Sequence, residues 1–267
     1  MTHVVNIIKN IKVVIMDGDG SSLTSDVCLP DNLRDLMLKH THIKWIMATG
    51  RSLDLLKHTP IVDYLSVDVP HVLDGGSRIM YLNGTSELDY FITDAELEKL
   101  HNILKSGQLE AINFIYYSPD GINGYAFSNY KKFEESVKLM KNVTVTNEIA
   151  LFKDWTKKYK PTKILLNVKD VIELGGLYWH GNDNNIDITA HGVNKGLAVF
   201  ELIKRLKINQ QDVAFVFNDK NDLPVLDHPD LQEITTVKVG HALPEINANY
   251  HVDTPFDVAN VLVQLIQ

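Results

Sequence analysis

The segment "IMDGDGS", residues 15 to 21, places two carboxylates, Asp17 and Asp19, where an apolar run gives way to glycine. In an extended chain, residues two apart point the same way. A carboxylate pair so placed repels unless a cation or a shared proton joins it. Gly18, Gly20 and Ser21 leave backbone N–H groups able to face an anion, although a plain Gly-Asp turn fits this segment equally well. Three other places in the chain could share such a site. In "ATGRS", Thr49 and Gly50 pass from an apolar run into a helix, and a hydroxyl beside helix-start N–H groups can hold a phosphate. In "HGVNKG", Lys195 opens a helix at the end where a cation does nothing for the dipole, which points to an anionic partner. In "FNDKND", residues 217 to 222, Asn218, Asp219, Asn221 and Asp222 follow another apolar run. Each has a bland alternative: an N-capping turn, a solvated lysine, or a surface turn.

The elements that would carry these residues follow from the apolar pattern. "KVVIMDGDG" reads as a buried strand over about residues 12–17, and "PDNLRDLMLKH" as a helix with Leu33, Leu36 and Met37 on one face. "IKWIMATG" is a second strand, "RSLDLLKH" a short helix and "HVLD" a third strand. This alternation predicts a parallel sheet covered by helices. Near residue 78 the rhythm changes. Two strand-like runs flank Asn83-Gly84, a hairpin signal. "DAELEKLHNILKSG" follows as an amphipathic helix. Strands over residues 111–129 are joined by turns at Pro119-Asp120-Gly121 and Asn123-Gly124. "YKKFEESVKLMK" reads as a helix, and "TKILLNV" and "NNIDITA" as strands. The helix "NKGLAVFELIKRLKI" then resumes the parallel rhythm, with Val199, Leu202, Ile203 and Leu206 on one face. "VAFVF", "TTVKVG" and the helix "PFDVANVLVQLI" complete it. The expectation is one α/β core, residues 1–79 and 189–267, interrupted by an α+β domain at 80–188. All four candidate segments then fall at the carboxyl edge of the parallel sheet, where open α/β folds bind ligands.

Composition narrows the partners. The chain has 267 residues, is 45% hydrophobic and carries a formal net charge of −8. That charge disfavours nucleic acid, which calls for a basic face. It leaves room for an anionic small molecule met by local cations. A single cysteine, Cys28, forbids an internal disulfide and fits a cytoplasmic location. No apolar run is long enough to span a membrane, so no membrane partner is expected. A monomer or a small homo-oligomer is expected.

The ordered set Asp17-Gly18-Asp19-Gly20-Ser21, Thr49-Gly50-Arg51, Lys195 and Phe217-Asn218-Asp219-Lys220-Asn221-Asp222 resembles the motifs of the haloacid dehalogenase (HAD) superfamily. "GGSRI" at 75 to 79, "GVNKGLA" and the closing "VGHALPEINANYHVDTPFDVANVL" are similar to its Cof-like sugar-phosphatase branch. The resemblance implies a Rossmann-like parallel-sheet core with an inserted α/β cap of type C2B. It implies a Mg²⁺-dependent phosphatase acting on a small phosphorylated metabolite, a sugar phosphate being favoured. Asp17 would be the nucleophile and Asp19 the general acid/base. Gly20, Ser21, Thr49, Gly50, Lys195 and Asn221 would hold the phosphoryl group. The metal would lie among Asp17, the carbonyl of Asp19, and Asn218, Asp219 or Asp222. Two other readings stay open: a weakly active or inactive phospho-ligand-binding homologue, because Asn218 stands where the family has a metal-binding Asp, and a phosphomutase similar to the phosphomannomutases. Within the cap, Tyr116, Tyr117, His180 and residues 182–185 are able to meet sugar hydroxyls.

Overall fold

The strand Val13–Met16 leads to Asp17 and is buried at every position. Its side chains alternate between two cores: Val14 and Met16 join one apolar cluster, Val13 and Ile15 the other. A strand buried on both faces belongs inside a parallel sheet. In the computed structural model, which describes residues 10–105, 108–128, 142–170, 172–182 and 184–266, it lies fourth of five. The order is Tyr250–Val252, Thr235–Val239, Val213–Phe217, Val13–Met16, Lys44–Met47, and every neighbouring pair is parallel.

Helices cover both faces. Asp31–Lys39 and Val258–Leu265 bury Leu33, Leu36, Met37, Leu262 and Leu265 against one side. Lys195–Leu206 buries Ala198, Val199, Leu202 and Ile203 against the other. Each large aliphatic side chain so buried contributes about 1.5–3 kcal/mol. The 195–206 helix sits very close to the short Leu223–Leu226 helix. A Cβ on Gly196 would lie 2.0 Å from the Pro224 carbonyl oxygen, so a side chain there is excluded. This contact seats Lys195 beside the loop that follows the Val213–Phe217 strand.

The third strand expected from the sequence, His71–Leu73, touches the parallel sheet through a single bridge, Ala48 to Val72. Its regular ladder is antiparallel, with Arg78–Met80, which pairs in turn with Ser86–Asp89 across the Asn83-Gly84 turn. A six-stranded sheet is inserted between this hairpin and the 195–206 helix, in the order Trp179–Asn182, Asn185–Thr189, Lys163–Val168, Ile112–Tyr117, Gly124–Ser128, Val143–Thr146. Its pairs are antiparallel except the last, which is parallel. The helices Asp94–Lys105 and Ile149–Lys158 pack on one face of it, where Leu97, Leu100, Leu104 and Phe152 meet Ile115, Phe127, Ile164 and Leu166. The other face carries several polar side chains beside Leu165. Asn113 donates to Asn167 and Asn167 to Asn185, each at 2.8 Å. Lys163 and Asp187 share that face by the two-residue alternation.

Five strands and α-helices carry too little local pattern to be expected from the sequence: Val143–Thr146, Ile149–Lys158, Trp179–Asn182, the short Leu223–Leu226 helix and the edge strand Tyr250–Val252. The expected helix at 130–141 lies outside the described residues, as does the apolar stretch before residue 10. Among the described residues, no helix is long and apolar enough to cross a membrane.

Candidate active site

Met16 is the last residue of its strand, and the chain turns at once. The N–H groups of Ser21, Ser22 and Leu23 all point to the Gly18 carbonyl, and that of Gly20 to the Leu23 carbonyl. This corrects the expected anion-receptive turn at two positions: the backbone donors of Gly20 and Ser21 are satisfied within the loop. The turn also separates the two acids, which do not share one cation. Asp17 points inward, with an 8% exposed side chain, and meets the Lys195 ammonium at 2.6 Å. Asp19 points outward, with a 53% exposed side chain, and forms a two-pronged ion pair with Arg51 at 2.7 and 2.9 Å.

Lys195 is the hub. Its Nζ also lies 2.6 Å from Oδ1 of Asp222, which is fully buried. The other Asp222 oxygen accepts from the N–H groups of Asn218 and Asp219, at 3.2 and 3.3 Å. Burial pushes the Asp17 carboxyl up to about 7. Repulsion from Asp222 adds to that, while Lys195 pulls it back. Burial opposes the Lys195 charge, but the two carboxylates outweigh it and the ammonium holds its proton more tightly than in water. With Asp17 ionised, two buried carboxylates and one buried ammonium leave an excess negative charge, an arrangement that favours a further cation.

Asn218 bridges back to the first loop. Its Oδ1 accepts from the Ser21 hydroxyl at 3.0 Å. Its Nδ2 lies where a Cβ on Gly20 would stand, 2.2 Å away, and Gly20 has φ +80°. The left-handed backbone favours glycine at 20, and any side chain there would also displace the Asn218 amide. Asp219 instead caps the 220–222 turn, accepting from the Lys220 N–H at 2.7 Å. Thr49 is buried, its Oγ1 accepts from the Arg51 N–H, and it lies beside Gly18. Gly50, Lys195 and Asn221 line one small cavity with Gly75, Asn194, His180, Asp187 and Thr189. The four motifs are thus brought together at the carboxyl edge of the parallel sheet.

The cap reaches this edge. Lys163 donates to the Gly50 carbonyl at 2.6 Å and pairs with Asp187 at 3.2 Å. Arg78, 1% exposed, donates to the Pro119 carbonyl and to the Thr162 hydroxyl at 2.7 and 3.0 Å. It also lies 3.4 Å from Asp74 and 3.2 Å from Asp89. Burial raises the Asp74 carboxyl to about 6 against the pull of Lys163 and Arg78. Of the cap residues singled out from the sequence, His180 lines the cavity. Its imidazole is held below its usual range, first by burial. Tyr116 abuts the core, its hydroxyl meeting Ser52. Tyr117 does not face the site: it lies in the cap core, stacked on Tyr125 at 5.5 Å and edge-on to Phe152.

Arg51, Lys163 and Asp187 were given no role by the sequence reading. Arg51 stood inside the quoted motif. Asp187 was legible as a polar position alternating with Ile186 and Ile188 along a strand. Nothing local marks Lys163, which becomes notable only when the cap meets Gly50.

Fold and site together define a capped α/β protein with an acid–lysine centre at the carboxyl edge of its parallel sheet. The family model of haloacid dehalogenase-like hydrolases matches residues 14–252, and the chain belongs to that family. Solved structures share the fold. BT1666, studied among HAD phosphatases of Bacteroides thetaiotaomicron, matches with a TM-score of 0.74 at 16% identity, over 97% of each chain. TM0651 from Thermotoga maritima gives 0.73 at 18%, over 96% of this chain and 98% of its own. The HAD subclass IIB sugar phosphatase BT4131 gives 0.72 at 13%, over 94% of this chain and 98% of its own. A comparison with curated proteins finds no match.

Proposed function

We propose that the protein is a Mg²⁺-dependent phosphatase of small phosphorylated metabolites, with residues 80–188 as its cap and 1–79 with 189–267 as its core. The carrying observation is the buried Lys195 ammonium, 2.6 Å from both Asp17 and Asp222. It holds one acid in place at the ligand-binding edge of the sheet. A carboxylate oxygen of Asp17 attacks phosphorus, and the P–O bond to the leaving group breaks. Asp19, swung away from Arg51 and protonated, gives its proton to that leaving oxygen. Asp19 then takes a proton from water as the water attacks the phospho-aspartate. Inorganic phosphate leaves and Asp17 is restored. Lys195 and Thr49 neutralise and orient the phosphoryl oxygens, with Asn221 and Gly50 at the cavity wall.

The donors suit a hard cation: the carboxylate of Asp17, the carbonyl oxygen of Asp19 and the amide oxygen of Asn218. The excess buried negative charge at this edge fits the same ion. Mg²⁺ bound there would withdraw charge from the phosphoryl group. Asp222 has both oxygens committed to Lys195 and to backbone N–H groups, so it supports the centre from behind. Asp219 is occupied as a cap, which leaves Asn218 as a neutral member of the metal corner.

The cap face that carries Lys163, Asp187, Asn167 and Asn185 supports a hydroxyl-rich leaving group such as a sugar. The cavity lined by Gly50, Lys195, Asn221, His180 and Asp187 is about 20 Å³, room for one water, so a sugar would have to enter by widening it. The neutral Asn218 motivates a second reading, a phospho-ligand-binding protein with little turnover. The test is hydrolysis of an aryl phosphate and a sugar-phosphate panel with Mg²⁺. Wild type should release phosphate, and Asp17→Asn should not, with an unchanged circular dichroism spectrum. Full turnover by Asp17→Asn would overturn the mechanism. No turnover by wild type, with a thermal shift on adding inorganic phosphate, would favour the binding reading.

A further inference from the structure

The closing segment carries a second group of chemistry-bearing side chains, beside the edge strand of the parallel sheet, to which the phosphoryl site assigns no part. His241, His251 and Asp253 each offer a ligand atom, and these atoms lie within 4.8 Å of one another. We propose that His241, His251 and Asp253 form a binding site for a first-row transition-metal ion such as Zn²⁺ or Ni²⁺, separate from the Asp17 centre.

The backbone builds this juxtaposition. Thr235–Val239 and Tyr250–Val252 are parallel neighbours, with Lys238 opposite His251 and Val239 opposite Val252. His251 lies in the strand and Asp253 just past its end, with their ligand atoms within 4.8 Å of each other. Gly240, at φ +72°, turns the first strand's exit, and its N–H is held by the Val252 carbonyl at 2.8 Å. His241 therefore emerges beside the end of the second strand. Its Nε2 lies 3.3 Å from Oδ1 of Asp253, and its ring stands 5.2 Å from that of His251 at 80°.

The hydrogen bonding of His251 points the same way. Its Nε2 lies 2.8 Å from the Gly240 carbonyl oxygen. A carbonyl only accepts, so Nε2 carries the hydrogen and Nδ1 keeps its lone pair. Metal-binding histidines are oriented by this kind of bond, one nitrogen donating to a backbone carbonyl and the other facing the ion. Two imidazoles with one carboxylate select zinc, nickel or copper over Mg²⁺. Three protein ligands leave a position for water. The side chains of His241 and Asp253 are each 74% exposed, so they are free to close onto an ion. The ion would tie the loop after one strand to the end of its neighbour, and binding to the folded state alone raises stability.

The experiment is calorimetric titration of chelator-stripped full-length protein with Ni²⁺, with Mg²⁺ in excess throughout to occupy the Asp17 centre. Wild type should take up one Ni²⁺ per chain. His251→Ala and His241→Ala should each weaken uptake at least about tenfold, and Asp253→Asn by less. Zn²⁺ should raise the melting temperature of wild type and leave that of the His241→Ala/His251→Ala double variant unchanged. Ni²⁺ uptake by the double variant with wild-type affinity and stoichiometry would overturn the proposal. So would the absence of any Ni²⁺ uptake by wild type in excess Mg²⁺.

Discussion

Replacing Lys195 with methionine keeps most of the side-chain volume and removes only the charged head. In the native protein that head lies 2.6 Å from an oxygen of Asp17 and 2.6 Å from an oxygen of Asp222. The three side chains are 1%, 8% and 0% exposed. The adjoining cavity holds about one water, too little to solvate two carboxylates in the ammonium's place. Twice 2.6 Å, or 5.2 Å, bounds the separation of the two carboxylate oxygens. At an effective dielectric constant of about 20, two like charges at that distance repel by about 3 kcal/mol. Breaking a buried pair by removing one member costs about 3–5 kcal/mol, so the two routes agree. The loss should depend on pH, and its sign follows from Asp17. Its carboxyl is already raised to about 7 in the native protein, where burial and Asp222 outweigh Lys195. Without Lys195 it rises further. The folded variant then keeps a proton that the unfolded chain releases above pH 4. Protonation of Asp17 relieves the repulsion, by about 1.4 kcal/mol for each unit of added rise. The deficit should be full at pH 9 and clearly smaller at pH 6. Urea unfolding of both proteins at the two pH values, with a chelator present, measures it. Adding Asp17→Asn to the variant should recover most of the loss at pH 9. A deficit below about 1 kcal/mol at pH 9, or one equal at pH 6 and pH 9, would refute the charge argument.

Two further perturbations test the metal corner and the core. Asn218→Asp adds a charge to a hard-oxygen site while keeping an acceptor for the Ser21 hydroxyl, so the Mg²⁺ concentration for half-maximal turnover should fall about tenfold or more. An unchanged or higher Mg²⁺ requirement would place the ion elsewhere. His71 is fully buried; its Nδ1 accepts from the Met47 N–H at 3.0 Å. Burial holds its imidazole down at about 4, against 6.5 in the unfolded chain. Its contribution is therefore intact above pH 6.5 and is lost as pH falls towards 4, by about 2 kcal/mol at pH 5. The raised carboxyls of Asp17 and Asp74 act in the opposite sense over this range. The measurement is thus the difference in pH dependence between wild type and His71→Gln in urea unfolding: from pH 7.5 to pH 5, wild type should fall by about 2 kcal/mol relative to the variant. Equal slopes would refute it.

The core was legible because its strands are buried on both faces and read as continuous apolar runs. The 195–206 helix announced itself by its apolar spacing. Val143–Thr146 was harder: four alternating residues on a sheet edge, with half-exposed faces, carry little pattern. Tyr250–Val252 is three residues long and relies on its neighbour for pairing. The candidate site was legible as a set of residue types and an order, and the geometry then altered its internal wiring. Extended-chain reasoning pointed Asp17 and Asp19 the same way. Gly18 ends the strand one residue early, and each acid finds its own cation. Lys195 was read as an anion holder at a helix start. That local reading could not foresee two carboxylates converging on it from segments 178 and 27 residues away. Contacts between cap and core, such as Lys163 with Gly50, have no local signature at all.

The neutral residue at 218 follows a logic that only the assembled site reveals. Once Asp17 is ionised, Asp17, Asp222 and Lys195 leave one unbalanced negative charge under almost no solvent. A carboxylate at 218 would add a third acid to the same sheet edge, repelled by the other two until a cation offsets it. The amide avoids that cost. It also does a job that a bound ion would otherwise do: through the Ser21 hydroxyl at 3.0 Å it joins the first loop to the loop after Val213–Phe217. The two loops are thus fastened whether or not a cation is bound. On the proposed Mg²⁺ site, the same exchange lowers the charge available to hold the ion, and so would trade metal affinity for a site that closes without it. On that reasoning Asn218→Asp should tighten Mg²⁺ while making the metal-free protein less stable, and the two effects should appear together in one variant.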